Sequence, residues 1–166
     1  MIILQDTKEK LPWSFARYDY CDEQKPTHLE EGDYTIEEYP DLVVIERKHS
    51  VAELASNLGL KYVQFVNEME RLKKYRFRYV VCEFSESEVI NYPHTSKLPR
   101  AVKAKIKMSG KFLMKRIREL TDKYDIRFIF CGTRDAAQRK AMELLIDAEA
   151  TYQQETISSE RSGGTD

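Results

Sequence analysis

The 166 residues are 42% hydrophobic and 33% charged, with six Gly and five Pro. A chain of this size buries roughly 70% of its unfolded surface around one core, and the composition excludes both intrinsic disorder and the fibrous classes. Twenty-seven Lys and Arg against twenty-eight Asp and Glu leave a net charge of −1, which excludes a uniformly basic coat for nucleic acid.

No apolar run approaches the roughly 18 residues of a membrane span, and the apolar start at residues 2–4 is too short for a signal peptide. No membrane partner is expected. Cys21, Cys82 and Cys131 are odd in number and lack CxxC spacing, so they read as thiols of an intracellular chain rather than a zinc or disulfide framework. The compartment would be cytoplasmic for a bacterial or phage source and nuclear for a eukaryotic one.

In chain order, residues 2–5 read as a short strand, followed by a polar segment to Pro12 and an aromatic-containing stretch to Cys21. Strands over 33–37 and 42–48 flank Glu38-Tyr39-Pro40-Asp41, whose Pro and Asp are turn formers, and so predict a hairpin. Ser50 caps a helix with Glu53 three residues on, as in a capping box, and Gly59 ends it. A second helix spans 60–75, with Val63, Val66 and Met69 at helical spacing, and a strand follows over 77–84. A polar loop with Pro93 and Pro99 leads to a long helical stretch, broken or bent near Ser109-Gly110 and ending at Tyr124. A strand over 126–131 and a helix over 133–150 complete one domain over 1–150, and 151–166 reads as a disordered tail. Strands grouped early and then alternating with helices predict an α/β domain, a mixed sheet with helices on both faces.

The hairpin is where the chemistry is to be sought. With Tyr39 and Pro40 at the turn, positions summing to 79 pair, so Asp33 lies opposite Glu46. Opposed like charges destabilise a sheet by up to about 1 kcal/mol unless a cation lies between them. The period of two places Lys48 on the same face as Glu46. Two carboxylates suit a hard ion such as Mg²⁺ or Mn²⁺, and a lysine beside them can orient water and a scissile phosphate. That is the outline of a D-xn-[DE]-x-K phosphodiesterase site. The short [DE]-x-K pattern also occurs at Asp6-Thr7-Lys8 and Glu23-Gln24-Lys25, so spacing alone leaves a solvated acidic hairpin open as the alternative.

Several segments together carry a resemblance. Asp6-Thr7-Lys8-Glu9, Gly32-Asp33-Tyr34 and Val44-Ile45-Glu46-Arg47-Lys48, followed by Glu53-Leu54, resemble the XPF-type nuclease domain, with its D-x-R-E segment, GD[YF] and ERK signature. Looser likeness continues through Glu68, Glu70-Arg71-Leu72, Glu83 and Phe130-Cys131-Gly132-Thr133-Arg134. The resemblance implies a restriction-endonuclease-like PD-(D/E)xK core and a Mg²⁺- or Mn²⁺-dependent DNA endonuclease of repair, recombination or replication. It implies Asp33 and Glu46 as metal ligands, Lys48 as the catalytic lysine, the Arg47 carbonyl near the metal, and Asp6 and Glu9 beside the centre. Lys8 stands where the family has Arg, and ERK-x4-E replaces ERK-x3-D, which displaces Glu53 along its helix. The likeness does not extend to the tandem helix-hairpin-helix domain with which larger members grip branched DNA and dimerise. Fork or flap preference, a homodimer and a partner subunit therefore stay open, as does a non-catalytic DNA-binding or assembly role on the same fold.

Charge is segregated along the chain. Residues 22–46 hold nine acids and one Lys, while 97–118 hold nine bases and no acid. Lys103, Lys107, Lys111, Lys115 and Arg118 in the second block are the expected DNA phosphate contacts, with Arg71 extending the track and Glu83 a further candidate at the sheet end.

Overall fold

The computed structural model describes residues 1–162. Six strands form one mixed sheet in the order β2-β1-β3-β4-β5-β6: β1 (Ile2–Asp6), β2 (Glu23–Thr27), β3 (Tyr34–Ile36), β4 (Val43–Lys48), β5 (Phe77–Cys82) and β6 (Arg127–Phe130). The β1–β3–β4 part is antiparallel, and β4, β5 and β6 run parallel. The helices are α1 (Val51–Leu58), α2 (Tyr62–Arg71), α3 (Glu86–Ile90), α4 (Arg100–Lys103), α5 (Gly110–Tyr124) and α6 (Arg134–Ser162).

Strand β4 is apolar on both faces up to Ile45, as a central strand must be, because each face meets its own core. Val44, Val80 and Cys82 point to α1, α2 and α5, packing with Leu54, Phe65 and Leu113. Val43, Ile45 and Val81 point the other way, to Trp13, Phe15 and the α6 residues Ala141 and Leu145. The expected mixed sheet with helices on both faces is the observed architecture. This alternation decides on which face each residue of the Glu46-Arg47-Lys48 run emerges.

The hairpin register holds where it was expected, Tyr34 opposite Ile45 and Thr35 opposite Val44. At Asp33 it slips by one: the Asp33 N–H donates to the Ile45 carbonyl at 2.9 Å, so two residues face one. Gly32 makes this passage feasible. Its φ is +72°, and a Cβ there would lie 2.2 Å from Val44 Cγ2.

Four expectations need correction. Strand β2 was not foreseen: Glu23–Thr27 is a polar edge strand whose Pro26 is tolerated because an edge leaves some N–H positions unpaired. The expected helix over 60–75 ends at Arg71, and a 3₁₀ turn over Leu72–Lys74 follows. The break expected near Ser109-Gly110 is present, with Ser109 capping α5, but the basic stretch before it is helical only over Arg100–Lys103, and α3 occupies part of the expected loop through a Ser85–Glu88 capping box. Between α4 and α5, Ile106 and Met108 pack inward while Lys105 and Lys107 are exposed, a period of two that an α-helix cannot present. Finally, the tail expected to be disordered from 151 is helical through Ser162. Tyr152 packs on Tyr39 with ring centroids 4.9 Å apart, and Glu155 makes two 2.6 Å hydrogen bonds with Arg76. Residues 163–166 of that expected tail lie outside the described residues.

Helix α5 starts against backbone. A Cβ on Gly110 would lie 2.0 Å from the Ile90 carbonyl oxygen and 2.3 Å from that of Val89. Backbone cannot rotate aside, so Gly110→Ala is expected to cost about 1–3 kcal/mol as an overpacking defect despite the gain in helix propensity. Urea unfolding of the two proteins, with an unchanged slope, checks this.

Candidate active site

Glu46 and Lys48 emerge on the α1–α2 face at the end of β4, and Arg47 emerges on the α6 face. Lys48 is buried, with its ammonium 2.9 Å from Glu46 Oε1, 3.8 Å from Glu53 Oε1 and 5.3 Å from the centre of the Phe65 ring. Asp33 arrives from the slipped end of β3, and its Oδ2 accepts the Arg47 main-chain N–H at 2.7 Å. Both acids and the lysine thus share one strand end, as the hairpin pattern implied.

Asp6 is beside them. Its N–H donates to the Asp33 carbonyl at 2.8 Å, and its Oδ1 accepts from Leu29 N at 3.2 Å. Asp6, Asp33 and Glu46 line a cavity of about 340 Å³ together with Glu30, Glu31 and Glu68, and Lys8 and Arg71 are its only bases among the described residues. Sequence reasoning had not singled out Glu68 as a site residue, nor Gln64. The signal was present, since Gln64, Glu68 and Arg71 fall at i, i+4 and i+7 on α2, but such a stripe reads equally well as a solvated face.

The electrostatics of the cavity are those of an acid cluster short of cation. Burial pushes the Asp33 carboxyl well above the ordinary range, and Glu46 and Glu9 push it further, against the Arg47 N–H and Lys48. Burial also raises Glu46, with Glu68 and Glu53 adding to it and Lys48 opposing. Burial alone would lower Lys48, but the charges of Glu46, Glu53 and Asp33 outweigh it and hold the ammonium protonated. Among the described residues no three His, Cys, Asp or Glu side chains are gathered as a closed all-protein metal cage. A pair of hard carboxylate oxygens in a polar cavity is the donor set for Mg²⁺ or Mn²⁺, which retain water and share substrate oxygens.

Other expected site residues lie elsewhere. Glu9 accepts from Arg47 Nη1 at 2.6 Å and from the Tyr34 hydroxyl at 3.2 Å. Glu83 reaches the sheet end on the opposite face from Glu46, because it shares the parity of Val81; it accepts from Arg47 Nε at 2.9 Å and from the Trp13 indole at 2.8 Å. The Arg47 side chain is thus taken up by acids and lies over the Trp13 ring at 5.2 Å. Glu53 accepts from the His49 N–H, one residue short of a full capping box, while Ser50 Oγ accepts from the Glu53 N–H. With Glu9, Arg47, Glu83, Lys8, Lys10, His49 and Arg134 it lines a second cleft of about 500 Å³.

None of Lys103, Lys107, Lys111, Lys115 and Arg118 lines the acidic cavity. Lys103 donates to the His94 carbonyl and Lys115 lies 3.8 Å from Glu119. No helix among the described residues is long and apolar enough to cross a membrane.

No protein-family model and no curated protein matches this sequence. Solved structures do match in fold. XPF from Aeropyrum pernix superposes with a TM-score of 0.61 at 17% identity, over 96% of this chain and 69% of that one. The fold is XPF-like. A second structure, XPF from Aeropyrum pernix in complex with DNA, gives a TM-score of 0.56 at 18% identity, over 95% of this chain and 66% of that one. The chain therefore spans about two thirds of the length of these structures, and its sheet and flanking helices make the restriction-endonuclease-like core of the XPF-like fold.

Proposed function

We propose that this chain is a Mg²⁺- or Mn²⁺-dependent DNA endonuclease that hydrolyses phosphodiester bonds. The observation that carries the proposal is the convergence of Asp33, Glu46 and Lys48 on one strand end, where the two acids line an acidic cavity that a divalent cation would neutralise and Lys48 lies buried behind Glu46. Asp33 and Glu46 would hold the ion. When bound, it would make a water nucleophilic near neutral pH and offset charge developing on phosphorus. Lys48, kept as a cation by its acid neighbours, would donate to a phosphate oxygen rather than take a proton. Asp6 and Glu68 would bind the hydration shell. Lys8 and Arg71, the bases of the cavity lining, would meet the phosphates beside the scissile bond. The complex of the XPF structure with DNA supports DNA as the polymer.

Cleavage of plasmid and of forked and flapped oligonucleotides by the wild type, Asp33→Asn and Lys48→Ala tests the assignment. Equal rates in all three would overturn it. DNA binding that persists in EDTA, with no cleavage under any divalent ion, would instead establish a binding or assembly domain.

We further assign the exposed bases Lys107, Lys111 and Arg118, together with Lys103 and Lys115, to flanking duplex phosphates. Each phosphate contact contributes about 0.9 to the slope of log affinity against log salt. Changing Lys107, Lys111 and Arg118 to Gln together is expected to lower that slope by roughly 2 to 3, measured by fluorescence anisotropy in EDTA. An unchanged slope would make this stretch a solvated face.

A further inference from the structure

The residue between Glu46 and Lys48 is tied down twice, and the second tie is unexplained by metal or substrate binding. Through its main chain Arg47 donates to the Asp33 carboxylate. Through its side chain it enters a partly buried cluster on the opposite sheet face. There Glu83 accepts from Nε at 2.9 Å, Glu9 and the Leu11 carbonyl accept from Nη1 at 2.6 Å each, and Trp13 lies against the guanidinium. Trp13 is itself fixed, with its indole N–H on Glu83, its main-chain N–H on the Tyr34 hydroxyl at 2.9 Å, and its ring stacked on Tyr34 at 5.1 Å.

We propose that Glu83 is a positioning residue for the metal pair: with Trp13 it clamps the Arg47 side chain and so holds the Arg47 main chain, which orients Asp33 and spaces Glu46 from Lys48. The clamp rests on the reading of Asp33 and Glu46 as metal ligands. The geometry supports a role beyond packing for two reasons. Arg47 is covalently flanked by two of the site side chains and hydrogen-bonded to the third, so any drift of its backbone reaches all of them together. Glu83, moreover, gives its Oε1 to both Arg47 Nε and Trp13 Nε1, so one carboxylate oxygen sets the spacing between strand β4 and the 11–15 segment. Partners that orient a ligand through hydrogen bonds typically change metal affinity or activity by about 10–100-fold when altered.

The test is Mn²⁺ binding by calorimetry, with cleavage rates read against Mn²⁺ concentration, on the wild type, Glu83→Gln, Trp13→Phe and Asp33→Asn. Glu83→Gln keeps an acceptor for the indole and removes the charge. Trp13→Phe keeps every charge and removes the indole donor, which separates positioning from a through-space field. Both are expected to weaken Mn²⁺ about 10-fold, with a smaller loss of rate at saturating metal. Trp13 is the sole Trp of the chain, and its emission is expected to change with Mn²⁺ in the wild type and to respond less in Glu83→Gln. Wild-type Mn²⁺ affinity in both folded clamp variants, with Asp33→Asn not binding, would overturn the clamp and leave the metal site standing. Equal Mn²⁺ binding by the wild type and Asp33→Asn, or none by the wild type, would remove the metal site and the clamp with it. Should Glu83→Gln fail to fold, Trp13→Phe alone decides.

Discussion

Asp33→Asn is expected to lower metal-dependent cleavage by at least about 10³-fold while raising the melting temperature of the metal-free protein. Loss of one electrostatic stabiliser in an active site costs about 10²–10³-fold, and losing a ligand also removes metal occupancy. The opposite effect on stability follows from burial. The Asp33 carboxyl is raised by burial and by Glu46 and Glu9, so the folded state binds its proton more tightly than the unfolded chain does. Below the ordinary aspartate value of 3.8 both states are protonated and the site costs nothing; above it the unfolded chain ionises while the folded state keeps the proton, and the cost is complete once pH has risen through the raised folded value. The advantage of Asn over Asp in EDTA should therefore be largest at neutral and alkaline pH and vanish toward pH 4. Asn Oδ1 can still accept the Arg47 N–H, so the strand end is kept. Saturating Mn²⁺ should reverse the order. At about 100 times the dissociation constant a bound ion contributes about 2.7 kcal/mol, worth roughly 5–10 °C at this chain length, and only the wild type would gain it. Thermal melts of the two proteins from pH 4 to 9, in EDTA and in Mn²⁺, supply the four curves. A mutant that is less stable at every pH in EDTA would contradict the electrostatic account of the cavity.

The parts of this site that were legible in the sequence are those set by local geometry. The expected register of Tyr34 and Ile45 is observed, although the Leu42 N–H donates to the Tyr39 carbonyl and so centres the turn on Pro40 and Asp41 rather than on Tyr39 and Pro40, and the pleat then places Glu46 and Lys48 on one face. Parity also separates Arg47 from its neighbours, although nothing local shows that Glu9, Glu83 and Trp13, up to 38 residues away, will receive it. Distance likewise hid the anchors of helix α6. Residues 151–162 lack an apolar stripe, and their order depends on Tyr39 and Arg76, far back in the chain. Strand β2 was invisible for a different reason: a polar edge strand that is only partly buried, its Gln24 joined to Trp13 and Phe15 by hydrogen bonds, needs no apolar alternation. The run Lys103 to Met108 was the reverse case, a visible period of two that was overridden by the helical pattern after it.

Arg47→Met is expected to have the largest effect on stability, about 3–5 kcal/mol, because it strands two acids rather than because it deletes a bond. Glu9 and Glu83 are 17% and 9% exposed, and Arg47 is the nearest cation to each; Arg134 lies 3.8 Å from Glu83 but also serves the Leu11 and Pro12 carbonyls. Removing one member of a buried ionic set leaves charge without a partner, whereas replacing the whole set by neutral groups is often tolerated. The triple change Arg47→Met, Glu9→Gln, Glu83→Gln is therefore expected to recover most of the loss, a midpoint gain of roughly 6–15 °C over the single variant. Cleavage should not recover, because the Arg47 main chain would have lost the side-chain clamp that holds it under Asp33. Recovery of stability without activity would separate the two roles of this cluster. A triple variant as unstable as Arg47→Met would mean that packing of the arginine stem against Trp13, and not charge, holds the sheet end together.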